Sequence, residues 1–102
     1  MELVSLKLVT IVSEAVLEKR LLEDLKRLGA RGYTLIEVRG EGSRGVRASD
    51  WAGRNIRVEA VVSADTARRI LDHLRECYFA NYAVIAYAAD VEVVRGEKYV
   101  GP

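Results

Sequence analysis

Hydrophobic positions along the chain change period several times, and each change marks an element. Leu3 to Val12 is rich in branched residues, which favours a strand. Leu3, Val9 and Ile11 fall on one face and Val4, Leu6, Leu8 and Val12 on the other. Both faces are therefore largely apolar. Helices packed on one side would leave the second face needing a cover, and the expected cover is another copy of the chain. From Ser13 the period becomes helical. Val16, Leu17, Leu21, Leu25 and Leu28 form a stripe that Leu22 widens. Ser13 is the expected N-cap, with Glu14 beside it at the positive helix end. Glu14, Glu18, Lys19, Glu23, Lys26 and Arg27 are expected on the solvated face, and Gly29 and Gly32 are stop signals.

The second half repeats this plan. Tyr33 to Val38 predicts a strand, and a long connection follows over about residues 40–54. A further strand is predicted over Asn55 to Val62. Ser63 or Asp65 then caps a helix buried along Ala67, Ile70, Leu71, Leu74 and Tyr78. The last strand is predicted over Tyr82 to Val94, with a turn-like tail over residues 95–102. Asp90 and Glu92 share a face of that strand and are expected to be solvated or paired. Val12-Ser13-Glu14-Ala15 is echoed by Val62-Ser63-Ala64-Asp65, and Gly32-Tyr33-Thr34-Leu35-Ile36 by Asn81-Tyr82-Ala83-Val84-Ile85. Gly32 and Asn81 are also residue types that tolerate a left-handed backbone before a strand. Two βαβ halves give an α+β, ferredoxin-like βαββαβ chain. The expectation is one domain over residues 1–102, with a four-stranded antiparallel sheet and two helices on one face.

Composition narrows the function classes. The chain has 102 residues, 30% of them charged, and a net charge of +1. Overall balance therefore offers no general attraction to nucleic acid or membrane. Tyr33, Tyr82 and Tyr87 lie on predicted strands without alternating Arg or Lys, so nucleic-acid binding is not expected. No apolar run reaches membrane-span length and no leader sequence is evident, which places the protein in the cytoplasm by default. Cys77 is the only cysteine, so no intramolecular disulfide or C-x-x-C motif is possible. A buried apolar position is expected for Cys77 and an exposed helical one for His73. The two stand four apart, but no third group to orient them is evident, and no His/Cys cluster suggests a metal.

The exception to this plain composition is Gly40-Glu41-Gly42-Ser43-Arg44-Gly45-Val46-Arg47. Three glycines let a ligand approach the backbone, and consecutive N–H groups in such a loop can cradle an anion. Arg44 and Arg47 each offer a planar, permanently charged fork suited to phosphate oxygens. Neither the P-loop pattern nor the dinucleotide fingerprint is present. The same composition also suits a solvated hairpin loop. Arg39, Arg54 and Arg57 add positive charge to this segment against Glu41, Asp50 and Glu59.

In order along the chain, Lys7 to Val12, Gly32-Tyr33-Thr34, Gly40 to Arg47, Asn55 to Glu59, Phe79 to Ala83 and Glu92-Val93 resemble the PII-like trimeric signalling proteins. The similarity is greatest to the small branch associated with bicarbonate transport and carboxysomes. The resemblance implies a homotrimer with adenine nucleotides (AMP, ADP, ATP or cyclic AMP) in clefts between subunits, held as effectors rather than as tightly bound cofactors. It implies that residues 40–54 form the T-loop, the arm that engages a partner such as a bicarbonate or other transporter or a carbon-metabolism protein. Carried over residue by residue, Gly42, Ser43, Arg44, Gly45 and Arg47 hold the phosphates, and Tyr82, Ala83 and Val84 line the base pocket. Val84 stands where the family pattern has glycine, and the loop beyond Arg47 is shorter than in relatives that reach into a transporter. The chain lacks the cysteine pair that some relatives carry in a tail, so redox control through such a pair is not expected. The resemblance implies a regulator and not an enzyme. A slow nucleotide phosphohydrolase and a ligand-free structural oligomer are the competing readings.

Overall fold

A computed structural model of the chain describes residues 1–40 and 54–100. The elements are β1 (Val4–Glu14), a 3-10 turn (Ala15–Leu17), α1 (Glu18–Leu28), β2 (Thr34–Val38), β3 (Asn55–Val62), α2 (Ala64–Cys77), β4 (Ile85–Val93) and a single-turn α3 (Glu97–Val100). The strands form one four-stranded sheet in the order β2-β3-β1-β4, and every pairing is antiparallel. This is the expected βαββαβ plan. No helix among the described residues is long and apolar enough to cross a membrane.

The strand β1 is central because both its edges are paired. Lys7 to Glu14 meet Val62 to Asn55 on β3, and Val4 to Val12 meet Val93 to Ile85 on β4. Val9 and Ile11 join Ile56, Val58, Ala60 and Val62 under the helices, and β3 alternates buried and half-buried along its whole length. Leu17, Leu21 and Leu25 from the first helical segment, and Ala67, Ile70, Leu74 and Tyr78 from the second, close the core. Each large aliphatic side chain buried there contributes on the order of 1.5–3 kcal/mol by leaving water. The opposite sheet face is covered by neither α1 nor α2; only the single-turn α3 reaches it, where Lys98 and Tyr99 approach Leu8 and Val61. Ile36, Ile85 and Tyr87 are 42%, 60% and 54% exposed there, beside half-buried Leu6, Leu8 and Val12.

The first helix starts later than its polar pattern predicts. The β1–β3 ladder runs on to Glu14↔Asn55, and the Ala15 amide donates to the Arg54 carbonyl at 3.0 Å. Ser13 is thereby held in the strand, where its Oγ donates to the Glu14 carbonyl instead of capping a helix. Glu14 is buried rather than solvated, and Val16 is 54% exposed rather than part of the stripe. The last strand also starts later, at Ile85, because the ladder with β1 ends at Val12↔Ile85. Neither Gly32 nor Asn81 is left-handed. Among the described residues only Gly29 (φ 120°) and Arg95 (φ 64°) have positive φ. The tail predicted as turn contains α3, and the Lys7 ammonium pairs with Asp90 across the β1–β4 ladder.

Ser63 is the N-cap of α2: its Oγ accepts from the Thr66 amide at 3.1 Å. Gly29 ends α1, and a Cβ built there would lie 3.2 Å from Arg69 Nη2 and 3.3 Å from Thr66 Oγ1. Arg69 itself donates to the Leu28 carbonyl at 3.2 Å, closing the end of α1 from the second helix. Ser63→Ala is expected to cost about 1 kcal/mol through the lost cap. Gly29→Ala is expected to cost about 1–2 kcal/mol, because an L side chain must take the left-handed backbone. Thermal unfolding at one fixed protein concentration checks both, and each variant is expected to melt below the wild type.

Candidate functional site

Three segments meet at the end of β1. The first is the root of the β2–β3 connection, where pairing closes at Val38↔Asn55. The second is β1 itself, whose last residue, Glu14, pairs with Asn55. The third is the Tyr82–Val84 segment, which crosses from α2 to β4. The Ala83 amide donates to Glu14 Oε2 at 2.8 Å. One carboxylate thus ties the third segment to the strand that holds the first. Glu14 is only 3% exposed, and its Oε1 has no hydrogen-bond partner among the described residues. Beside it, a cavity of about 710 Å³ opens between Ala15, Glu18, Glu37, Arg39, Arg54 and Asn55. That volume falls within the range of small-molecule sites. Two basic residues, Arg39 and Arg54, and two acidic ones, Glu18 and Glu37, are among its lining residues.

Gly42, Ser43, Arg44, Gly45 and Arg47 lie outside the described residues, as does most of the segment predicted as the T-loop. Tyr82, Ala83 and Val84 are described. Val84 is buried at 9% exposure in the core, and its amide bonds to the Tyr82 carbonyl at 3.0 Å. Tyr82 packs partly against the core, with its ring 6.2 Å from that of Tyr78. The Arg20 guanidinium lies over both rings, 4.3 Å from the Tyr78 centroid and 5.7 Å from that of Tyr82. Cation–π contact of this kind adds attraction between α1 and the segment that enters β4. A second cavity, of about 430 Å³, lies at the other end of β2 and β3, where Leu8, Thr34, Glu59 and Val61 meet Arg31 and Lys98. It opens on the sheet face away from α1 and α2, with α3 at its rim.

Between the helices lies a polar cluster that the periodicity did not reveal. Asp24 Oδ2 accepts from the Tyr78 hydroxyl at 2.6 Å and lies 2.9 Å from His73 Nε2, while Oδ1 accepts from Arg27 at 3.2 Å. Burial by itself would raise the Asp24 pKa. The hydrogen bonds from Tyr78, His73 and Arg27 outweigh it and hold the carboxyl below the ordinary carboxylate value. Burial and the Asp24 carboxylate push the Tyr78 hydroxyl well above its usual range. Two expectations are corrected here. The His73 side chain is only 20% exposed and is bonded, and Cys77 is exposed rather than buried. Cys77 ends α2 and falls off the stripe formed by Ile70, Leu74 and Tyr78. No group of three or more metal-ligating side chains is present among the described residues.

Residues 6–98 match the family described as nitrogen regulatory protein P-II. A crystal structure from Thermus thermophilus, assigned as a PII-like signalling protein, is 65% identical. The match covers 98% of this chain and 100% of that one, with a TM-score of 0.85. A Thiomonas intermedia protein, CPII, bound to ADP, AMP and acetate, is 22% identical with a TM-score of 0.86, over 99% of this chain and 100% of that one. A second CPII structure, bound to ADP, AMP and bicarbonate, is 25% identical with a TM-score of 0.74, over 95% and 99%.

Asp24 has a lowered pKa when folded, so its contribution is complete above the ordinary carboxylate range and fades as pH falls through the lower folded value. The stability gap between the wild type and Asp24→Asn is therefore expected to be full near neutrality and to shrink below about pH 4. Tyr78→Phe removes one hydrogen bond to a charged acceptor and is expected to cost about 1.5–3 kcal/mol. Denaturant unfolding across pH reads both. A gap that widens in acid would contradict the assignment.

Proposed function

The chain belongs to the nitrogen regulatory protein P-II family, and on that premise we propose that it is a non-enzymatic adenine-nucleotide sensor whose β2–β3 connection carries the signal to a partner. The observation that carries this reading is the Glu14 clasp. It joins the Tyr82–Val84 segment to the root of the long connection, beside a cavity large enough for a small-molecule ligand. A ligand touching both segments would couple its own binding to the posture of the arm. The ADP and AMP held by CPII support adenine nucleotides as the ligand class. In this reading Ser43, Arg44 and Arg47 neutralise the phosphates, with Gly42 and Gly45 allowing close backbone approach. Tyr82, Ala83 and Val84 form the base side. Val84 acts there through its backbone, because its side chain is in the core.

The chain is proposed to act as a homotrimer. The sheet face away from α1 and α2, with Ile36, Ile85 and Tyr87 exposed, supports a cover supplied by other copies. Arg31 and Lys98 line the second cavity on that face and are available to complete a cleft between subunits. The proposed partner class is a bicarbonate or other transporter, or a carbon-metabolism protein, met in the cytoplasm or at the membrane where the transporter sits. The bicarbonate bound to CPII is the support for the carbon connection.

Calorimetry of the trimer with AMP, ADP, ATP and cyclic AMP tests the reading, with product analysis of the same mixtures. At least one nucleotide is expected to bind without turnover. Arg44→Ala and Arg47→Ala are each expected to weaken binding by roughly 1.5–3 kcal/mol, the worth of a charged hydrogen bond. No binding by the folded protein would refute the sensor. Steady product formation would favour the phosphohydrolase, and unchanged affinity in both variants would remove these arginines from the site.

A further inference from the structure

We propose that Cys77 is an activated thiol and a modification site for hydroperoxides, served by His73 and Asp24. Cys77 Sγ lies 3.6 Å from His73 Nδ1, and His73 Nε2 lies 2.9 Å from Asp24 Oδ2. A carboxylate can only accept, so Nε2 carries the proton. In the neutral ring Nδ1 then turns its lone pair toward the sulfur. The orienting group comes from the other helix, 49 residues away, and is itself fixed by the Tyr78 hydroxyl and by Arg27. Nucleophile, base and orienter are thus all present, on an exposed residue.

The surrounding charges are mixed. Arg20 donates to the Cys77 carbonyl at 3.3 Å and brings a cation to this end of α2. Glu76 is the chain neighbour, Asp72 is paired with Arg75, and the carbonyl end of a helix disfavours an anion. Activation therefore depends on the imidazole and not on a general positive field. The thiol passes its proton to Nδ1, and the imidazolium so formed is held by the Asp24 carboxylate. The sulfur attacks the terminal oxygen of the hydroperoxide. The S–O bond forms as the O–O bond breaks, and the departing oxygen takes the proton from His73 and leaves as an alcohol or water. Cysteine is oxidised to the sulfenic acid and the peroxide is reduced. The chain has no second cysteine, so the sulfenic acid has no internal thiol to close on and must be resolved by an external one.

Because Cys77 is the only thiol, intact mass reports its reaction without ambiguity. The full chain is treated with hydrogen peroxide in the presence of dimedone, and separately with iodoacetamide. Each reaction is run on the folded protein and on the protein unfolded in urea at the same pH. The folded protein is expected to react at least about 10-fold faster with both reagents. His73→Gln is expected to remove most of that advantage, and Asp24→Asn is expected to reduce it while leaving Cys77 and His73 in place. Melting curves establish that each variant is folded before its rate is read, and Asp24→Asn carries the test should His73→Gln fail to fold. A folded rate equal to or below the unfolded rate would overturn the proposal. So would a folded variant of either residue that keeps the full rate. Nucleotide binding enters neither measurement, so the outcome is independent of the sensor reading.

Discussion

A buried carboxylate must find donors, and the one at the end of β1 finds a backbone amide from the far half of the chain. Glu14 is 3% exposed and holds the Ala83 amide at 2.8 Å. A buried acceptor left without a partner costs about 1–3 kcal/mol, more when charged, so this contact constrains where the Tyr82–Val84 segment can lie. The same residue is the last rung of the β1–β3 ladder. One side chain thereby fixes the distance between the entry to β4 and the root of the β2–β3 connection. The ferredoxin-like plan hosts many functions. Here it becomes a candidate for ligand-gated signalling because these two segments share an anchor.

A second tie runs through the helices. Arg20 spans the Tyr78 and Tyr82 rings, and Tyr78 reaches Asp24 across the helix pair. The Tyr82–Val84 segment is therefore held by Glu14 from the sheet and by Tyr78 and Arg20 from the helices. Few of these groups are free to relax independently, so a change at one of them is felt by the others.

The period-2 and helical patterns gave the element types and their order. The Asn55–Val62 strand matched to the residue because its alternation is complete, and of the two caps expected for α2, Ser63 holds the position while Asp65 falls in the first turn. The departures at the two ends of the site share one cause. Ser13 and Glu14 have the composition of a helix start, but the β1–β3 ladder continues through them to Asn55. Tyr82 to Val84 have strand composition, but their amides are taken by Tyr78, Glu14 and the Tyr82 carbonyl. Local propensity was overruled by pairing between distant residues, to which sequence periodicity is blind. The Asp24–His73 contact is of the same kind. His73 and Cys77 were visible as an i,i+4 pair, but their orienting group sits on the other helix.

Hydrogen exchange on the folded protein with and without ADP measures the coupling most directly. A shared anchor predicts that ADP slows exchange in two places together: the 40–54 connection and the Tyr82–Val84 segment, including the Ala83 amide. It also predicts that Glu14→Ala leaves ADP protecting only one of the two, because the shared anchor is gone. Protection confined to one segment in the wild type, or protection of both that survives Glu14→Ala unchanged, would contradict it.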